Sequence, residues 1–215
     1  MDFFFNVLSS IVGGAVLLIL AAIFSMKIRW LLIGVFAMIL DIDINNVFRN
    51  KKAAESNLKE EIDKAKFVYV LAGRGNELQR DPFNSIFSHR NVNRDIPTKI
   101  LLPQTQFSNG EFDWLMQREM ETAQFDSGYG HGMLHTQVEA NAEFIQRYTQ
   151  NNKIELQRFN SPNIGRIIVT DRCVFYTPYR EDAHGRHSKV YKFRKNGEMY
   201  YNFLRLFNQL WNATT

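Results

Sequence analysis

Apolar and polar positions divide the chain into an opening stretch with no alternation and a longer stretch with regular alternation. Residues 3–26 carry no charge, and the run VLSSIVGGAVLLILAAIFSM over residues 7–26 is twenty residues long. At about 1.5 Å per residue it reaches across roughly 30 Å of hydrocarbon. Lys27 and Arg29 follow, then a second apolar run over residues 30–40 that ends at Asp41 and Asp43. This second run is too short to span. It reaches the needed length only by taking in Ile42, Ile44 and Val47, with both aspartates near one membrane face. The pattern predicts a two-helix transmembrane hairpin over residues 1–48, with Lys27, Ile28 and Arg29 as its turn. Gly13 and Gly14 on the first helix and Gly34 with Ala37 on the second offer small faces for close packing and self-association. A cleaved signal peptide would open on basic residues, whereas MDFFFN carries an acid. A single span followed by an interfacial segment, and a buried helical pair in a soluble protein, are the other arrangements open to this pattern.

The alternating part begins near residue 49. Ala54, Leu58, Ile62 and Ala65 recur at spacings of three and four, which predicts an amphipathic linker helix over 49–66, with Glu55 and Lys59 paired on its polar face. A continuous apolar run, FVYVLA at 67–72, reads as a strand that stops at Gly73-Arg74-Gly75. TKILLP reads as a second strand. A helix begins near Asn109 with Phe112, Leu115, Met116 and Met120 on one face. Another covers 133–150 with Leu134, Val138, Phe144, Ile145 and Tyr148. Strand signals then crowd together at 154–159, 165–171, 173–179 and 187–194, and a helix over 199–211 closes the chain. Strands mixed with long helices predict an α/β class domain over 67–215, a mixed sheet against helices.

Composition adds a compartment and little else. The chain has 215 residues and a net charge of +4, and residues 49–215 hold 24 basic and 19 acidic groups. A surplus that small over so long a segment is weak support for nucleic acid as a partner. A single cysteine, Cys173, excludes an intrachain disulfide and a cysteine zinc cluster, and fits a reducing compartment. Arg49, Lys51, Lys52, Lys59, Lys64 and Lys66 outnumber Lys27 and Arg29, which places the large domain in the cytoplasm, beneath an inner membrane.

Candidate chemistry is sparse. Gly73-Arg74-Gly75 is either a tight turn or a loop that shows backbone N–H groups to an anion, with Arg74 and Arg80 as phosphate contacts. It is neither a Walker loop nor a dinucleotide fingerprint. His131 and His135 stand four apart without the acid of a metalloprotease motif. His184 and His187 share a polar loop with Glu181 and Asp182 that suits an ion or an anion. Cys173 lies in a strand among apolar neighbours, the setting of a core residue. No metal or cofactor is expected. Arg158, Arg166, Arg172, Arg186 and Lys189, interleaved with Phe175, Tyr176, Tyr179, Tyr191 and Phe193, suit a nucleic-acid or polyphosphate surface. The same alternation arises on any sheet with aromatics inward and bases outward.

Residues 154–211 resemble one half of a phospholipase D-like fold. That family's motif is His-x-Lys, four residues, Asp, then six residues and Gly-Ser. Asp171 stands at the aspartate position, Arg166 at the lysine and Ile164 at the nucleophilic histidine, while Pro178 and Tyr179 replace Gly-Ser. The resemblance implies a degenerate copy: isoleucine cannot attack phosphorus, whereas Arg166 can still hold an anion. Catalytic residues are therefore expected to be absent. The alternative is a membrane-tethered phosphodiesterase acting on a lipid or a nucleotide, using His187 and Lys189, which repeat the His-x-Lys spacing, with His184 or His135 as a further group. Arg194 stands where that second motif needs its aspartate.

A membrane hairpin joined to such a domain is similar to the two-transmembrane effector proteins of bacterial retron anti-phage systems. This resemblance implies a toxin of abortive infection, held inactive by a reverse transcriptase with its RNA–DNA hybrid molecule and, once released, disrupting membrane lipid. A non-toxic membrane scaffold or receptor is the remaining alternative.

Overall fold

The computed structural model describes residues 2–39, 42–87, 96–108, 110–149, 153–162 and 165–214. The chain opens with α1 (Asp2–Phe24), whose side chains are exposed all along residues 3–20. Its stretch Phe3–Ala21 is long and apolar enough to cross a membrane, a test that a signal sequence also passes. A short α2 (Met26–Ile39) follows directly.

The expected hairpin turn at residues 27–29 is not formed. The Ser25 N–H donates to the Ala21 carbonyl at 2.8 Å, and the Ser25 carbonyl accepts from the Arg29 N–H at 3.0 Å. The helical hydrogen-bond ladder therefore passes through the junction, and Lys27 and Arg29 lie inside α2. At 14 residues α2 covers about 21 Å, short of a span. Gly13, Gly14 and Gly34, expected at a helix–helix seam, have no atom within 4 Å of the position a Cβ would take. Asp41 lies outside the described residues.

The second helix cannot borrow length from residues 44–48, because these form β1 (Ile44–Phe48), an edge strand of the α/β domain. The boundary expected at residue 48 therefore falls before Ile44. Asp43 shows why. Its carboxylate accepts from the Met199 N–H at 2.9 Å at the start of the C-terminal helix, and its carbonyl accepts from the Arg194 N–H at 3.0 Å. An acid at a helix N-terminus is stabilising, and here it ties the segment after α2 to the start of the C-terminal helix.

The rest of the domain comprises α3 (Lys51–Asp63), β2 (Val68–Leu71), α4 (Asn84–Phe87), β3 (Thr98–Pro103), α5 (Trp114–Ala123), α6 (Met133–Thr149), β4 (Ile154–Phe159), β5 (Gly165–Thr170), β6 (Cys173–Pro178), β7 (Val190–Arg194) and α7 (Glu198–Ala213). The strands form one mixed sheet in the order β1-β7-β6-β5-β2-β3-β4. β2, β3 and β4 are parallel, and the other pairings are antiparallel. Strand alternation sends Val68, Val70, Ile100, Leu102, Ile168 and Phe175 to one face, where α3, α4, α5 and α6 pack. Leu71, Leu101, Ile167, Val169 and Val174 face α7, which buries Phe203, Phe207 and Trp211. A mixed α/β domain with helices on both faces results.

Two elements differ from the sequence expectation in informative ways. The helix expected to be a linker, α3, is capped by Asn50, whose side chain accepts from the Ala53 N–H at 3.0 Å. It buries Ala54, Leu58 and Ile62 against the sheet, so it belongs to the core rather than to a connector. Lys59 pairs with Asp81 at 2.9 Å instead of Glu55. On α5 the face is rotated from the one expected. Leu115, Glu119 and Thr122 are buried, while Met116 and Met120 are exposed. The buried Glu119 accepts the N–H groups of Gly132 and Leu134, so hydrogen bonding to the glycine-rich turn decided the face over apolar periodicity.

Candidate anion-binding cavity

The ends of β2, β5 and β6 open onto a cavity of about 250 Å³ at the carboxyl end of the parallel strands. Ligands of α/β sheets commonly bind at this end. The loop after β2 supplies Gly73, Arg74, Asn76, Glu77 and Arg80. β5 supplies Arg166, α3 supplies Lys51, α5 supplies Trp114 and Arg118, and the segment after β6 supplies Tyr179, His184 and Arg186. Among the described residues, six lysine and arginine side chains thus line the cavity, with Glu77 as the one carboxylate.

Strand parity puts Arg166 there. It shares the face of Ile168 and lies next to Thr177 across the β5–β6 pair. Arg166 is only 6% exposed. Its Nη2 donates to Thr177 Oγ1 at 3.1 Å, and its Nη1 lies 3.6 Å from Glu77 Oε1. Burial alone would push the Glu77 carboxyl up, but Arg166, Lys51 and Arg74 together hold it below the usual carboxylate range. Lys51 shows the converse. Burial, reinforced by Arg166 and Arg80 and opposed by Glu77 and Glu55, lowers its ammonium to about 8. The cavity is therefore uncomfortable for added positive charge and receptive to negative charge.

An aromatic wall gives the site its shape. Trp114 and Tyr179 stack with ring centroids 6.3 Å apart, and the Arg118 guanidinium lies 5.9 Å from the Tyr179 ring. The Tyr179 hydroxyl accepts from the Gly73 N–H at 2.9 Å, and its burial pushes the phenol up to about 12. A side chain at residue 73 would approach Trp114 Cη2 to 2.9 Å, so glycine is needed for this close approach. Gly75 adopts φ +81°, and its missing Cβ leaves room for Leu102. Arg74 donates to the Tyr129 hydroxyl and to Gln137 Oε1 at 3.2 Å, which pins the loop against α6.

The residues singled out from the sequence divide between this cavity and other places. Arg74, Arg80, Arg166, His184 and Arg186 line it. Arg158 pairs with Glu139 at 2.9 Å and Arg172 with Glu61 at 2.7 Å, both away from it. His187 and Lys189 are exposed and are not among the lining residues. Asp171 lies beyond the opposite end of β5 from Arg166, where its carboxylate accepts from the Lys66 N–H at 2.7 Å, so the two do not share a site. Ile164 and His89 lie outside the described residues. His184 Nε2 is 2.8 Å from Asp126 Oδ2, and His135 Nε2 is 3.0 Å from Asp113 Oδ2. Cys173 is buried on β6, and burial raises its thiol to about 11. Among the described residues no group of three or more potential metal ligands converges.

Lys51, Glu77, Trp114 and Arg118 were not singled out for the site from the sequence. Tyr179 was noted as a replacement in a motif and as one of the aromatics interleaved with basic residues. Their approach to the cavity depends on α3 and α5 docking on the same face of the sheet, which no local spacing announces.

No protein-family model matches the chain, and no curated protein matches it significantly. Two solved structures are similar in outline. TrmBL2 is an archaeal chromatin protein whose structure shows a novel mode of DNA binding; it is 16% identical, with a TM-score of 0.47, over 99% of this chain and 66% of that one. The chain therefore spans about 66% of that protein's length. A phospholipase D family member, Nuc from Salmonella typhimurium, is 15% identical with a TM-score of 0.46, over 78% of this chain and 93% of that one.

Proposed function

We propose that this chain is a membrane-anchored effector whose α/β domain holds an anionic partner in the basic cavity and is restrained by it. The observation that carries the reading is the charge of the cavity, six basic side chains around Glu77. A partly buried surplus of positive charge opposes folding and is relieved when an anion enters. Binding is favoured over phosphodiester cleavage by the lining. Among the described residues His184 is the one histidine that lines it, whereas covalent phosphohistidine chemistry needs a nucleophile and a second group to protonate the leaving oxygen.

The apolar helix Phe3–Ala21 supports placement in the bacterial inner membrane, with the α/β domain in the cytoplasm. In the retron reading, the restraining partner is a reverse transcriptase carrying its RNA–DNA hybrid, a polyanion. Release lets the exposed faces around Gly13 and Gly14 gather in the bilayer and breach it, the outcome called abortive infection.

The test is membrane potential during induced expression in a bacterial host, followed with a potential-sensitive dye. Full-length protein is compared with a deletion of residues 2–42, which leaves β1 intact. Depolarisation by the full chain and none by the deletion is expected. An unchanged potential in both overturns the effector role and favours a scaffold or receptor.

A further inference from the structure

We infer that the cavity receives a terminal phosphate group, bound through Arg166, Lys51 and Arg80, rather than an internal phosphodiester of a continuous strand. The inference rests on the reading of the cavity as an anion site.

Three observations carry it. The first is which cations are uncommitted. Arg74 is engaged with Tyr129 and Gln137, Arg118 with Glu121 at 2.7 Å, and Arg186 with His187 at 3.1 Å. The Lys51 ammonium and the Arg80 guanidinium have no hydrogen-bond acceptor among the described residues. Arg166 keeps donors in hand, since Glu77 at 3.6 Å is beyond hydrogen-bond range.

The second is charge. The six cavity cations, set against Glu77, the Glu121 that pairs with Arg118 and the Glu55 that acts on Lys51, leave three positive charges uncompensated among the described residues. A phosphate monoester brings about two negative charges at neutral pH, whereas a diester brings one. The burial that holds Lys51 near 8 fits this match, because an arriving dianion favours its protonated form.

The third is shape. Arg166 is 6% exposed and lines a cavity of about 250 Å³. A group with one attachment point can enter end-first and reach it. An internal diester has chain leaving on both sides, and both arms would have to fit beside so buried a side chain. The chemistry is shared by a free nucleoside monophosphate and by the phosphorylated end of a nucleic acid.

The experiment uses full-length protein in detergent micelles and measures affinity by calorimetry for AMP and for two short single-stranded DNAs. The DNAs are identical except that one carries a 5′-phosphate and the other a 5′-hydroxyl. The phosphorylated strand is expected to bind about tenfold tighter or more than its twin, the effect of one charge-assisted contact set. Arg80→Ala and Lys51→Met should each remove most of that preference. Arg80 is exposed, so its replacement does not threaten the fold. AMP binding equal to the phosphorylated strand supports the inference with a free nucleotide as ligand. Weaker AMP binding supports it with a nucleic-acid end. Equal affinity for both strands overturns the inference while the anion-site reading stands. No binding of any of the three overturns both.

Discussion

Replacing Lys51 with methionine should stabilise the domain at neutral pH while weakening anion binding. Methionine keeps most of the length and apolar stem of the side chain and removes the charge. Burial, with Arg166 and Arg80 behind it, moves the Lys51 ammonium from 10.5 to about 8, against the opposing pull of Glu77 and Glu55. A displacement of that size is on the order of 3 kcal/mol against the charged form. The side chain keeps part of its surface in water, so roughly half of that, about 1.5 kcal/mol, is the expected gain at pH 7. For a chain of this size it corresponds to a rise of roughly 3–6 °C in the unfolding midpoint.

The pH dependence has a definite sign. Below about pH 8 both folded and unfolded Lys51 are protonated, and the folded state bears the full penalty. Between about 8 and 10.5 the folded state has released its proton and the unfolded state has not, so the unsubstituted protein gains stability as pH rises. The advantage of Lys51→Met should therefore shrink across that window. Thermal scans of both proteins in the same detergent at about pH 7 and about pH 9.5 decide it. A lower midpoint for the variant at pH 7, or a gain unchanged at the higher pH, would refute the reasoning.

Other consequences follow from the same contacts. Glu77→Gln should raise anion affinity several-fold in calorimetry. It should also flatten the acid limb of stability, because Glu77, held below its usual range, stabilises above about 4.5 and loses that contribution as pH falls through its folded value. Gly165→Ala would press a methyl group against Tyr176 and bring it within 2.8 Å of the Thr177 carbonyl, at a cost of about 1–3 kcal/mol in denaturant titrations. Asp43→Ala removes the carboxylate that accepts from the Met199 N–H, and a loss of about 1 kcal/mol is expected in the same assay. Deleting residues 2–48 should lower the midpoint well below that of the 2–42 deletion, since only the former removes β1 and its Phe48–Phe175 ring contact at 6.4 Å.

Legibility followed the range of the interaction. The strands at 98–103, 154–159 and 173–178 and the helices α6 and α7 were readable because each carries its own period and a nearby stop signal. The loop after β2 was readable as a glycine-arginine turn closing a strand, and Gly73, Arg74 and Arg80 line the cavity. The second apolar segment misled because hydropathy cannot distinguish a membrane helix extended through Ile44 and Val47 from an edge strand containing them. The distinction is made by β7, about 150 residues away, which supplies the pairing partners of Ile44, Val47 and Phe48. The face of α5 misled for a similar reason: Met116 and Met120 read as inward, but the buried Glu119 is satisfied by the Gly132 and Leu134 N–H groups and takes that face.

The sequence alone determined that residues 3–26 form an uncharged stretch of membrane-crossing length, and that an α/β domain follows, because hydropathy and periodicity are properties of neighbouring residues. It also placed Arg166 and Cys173 on strands. Only the tertiary structure decided that Arg166 is buried beside Glu77, that Lys51 faces it from a helix expected to be a linker, and that Asp171 and Lys189 stand elsewhere. Charge density in a cavity is a sum over elements that meet only after the sheet has paired and the helices have docked. Local spacing records each term of that sum but not their meeting.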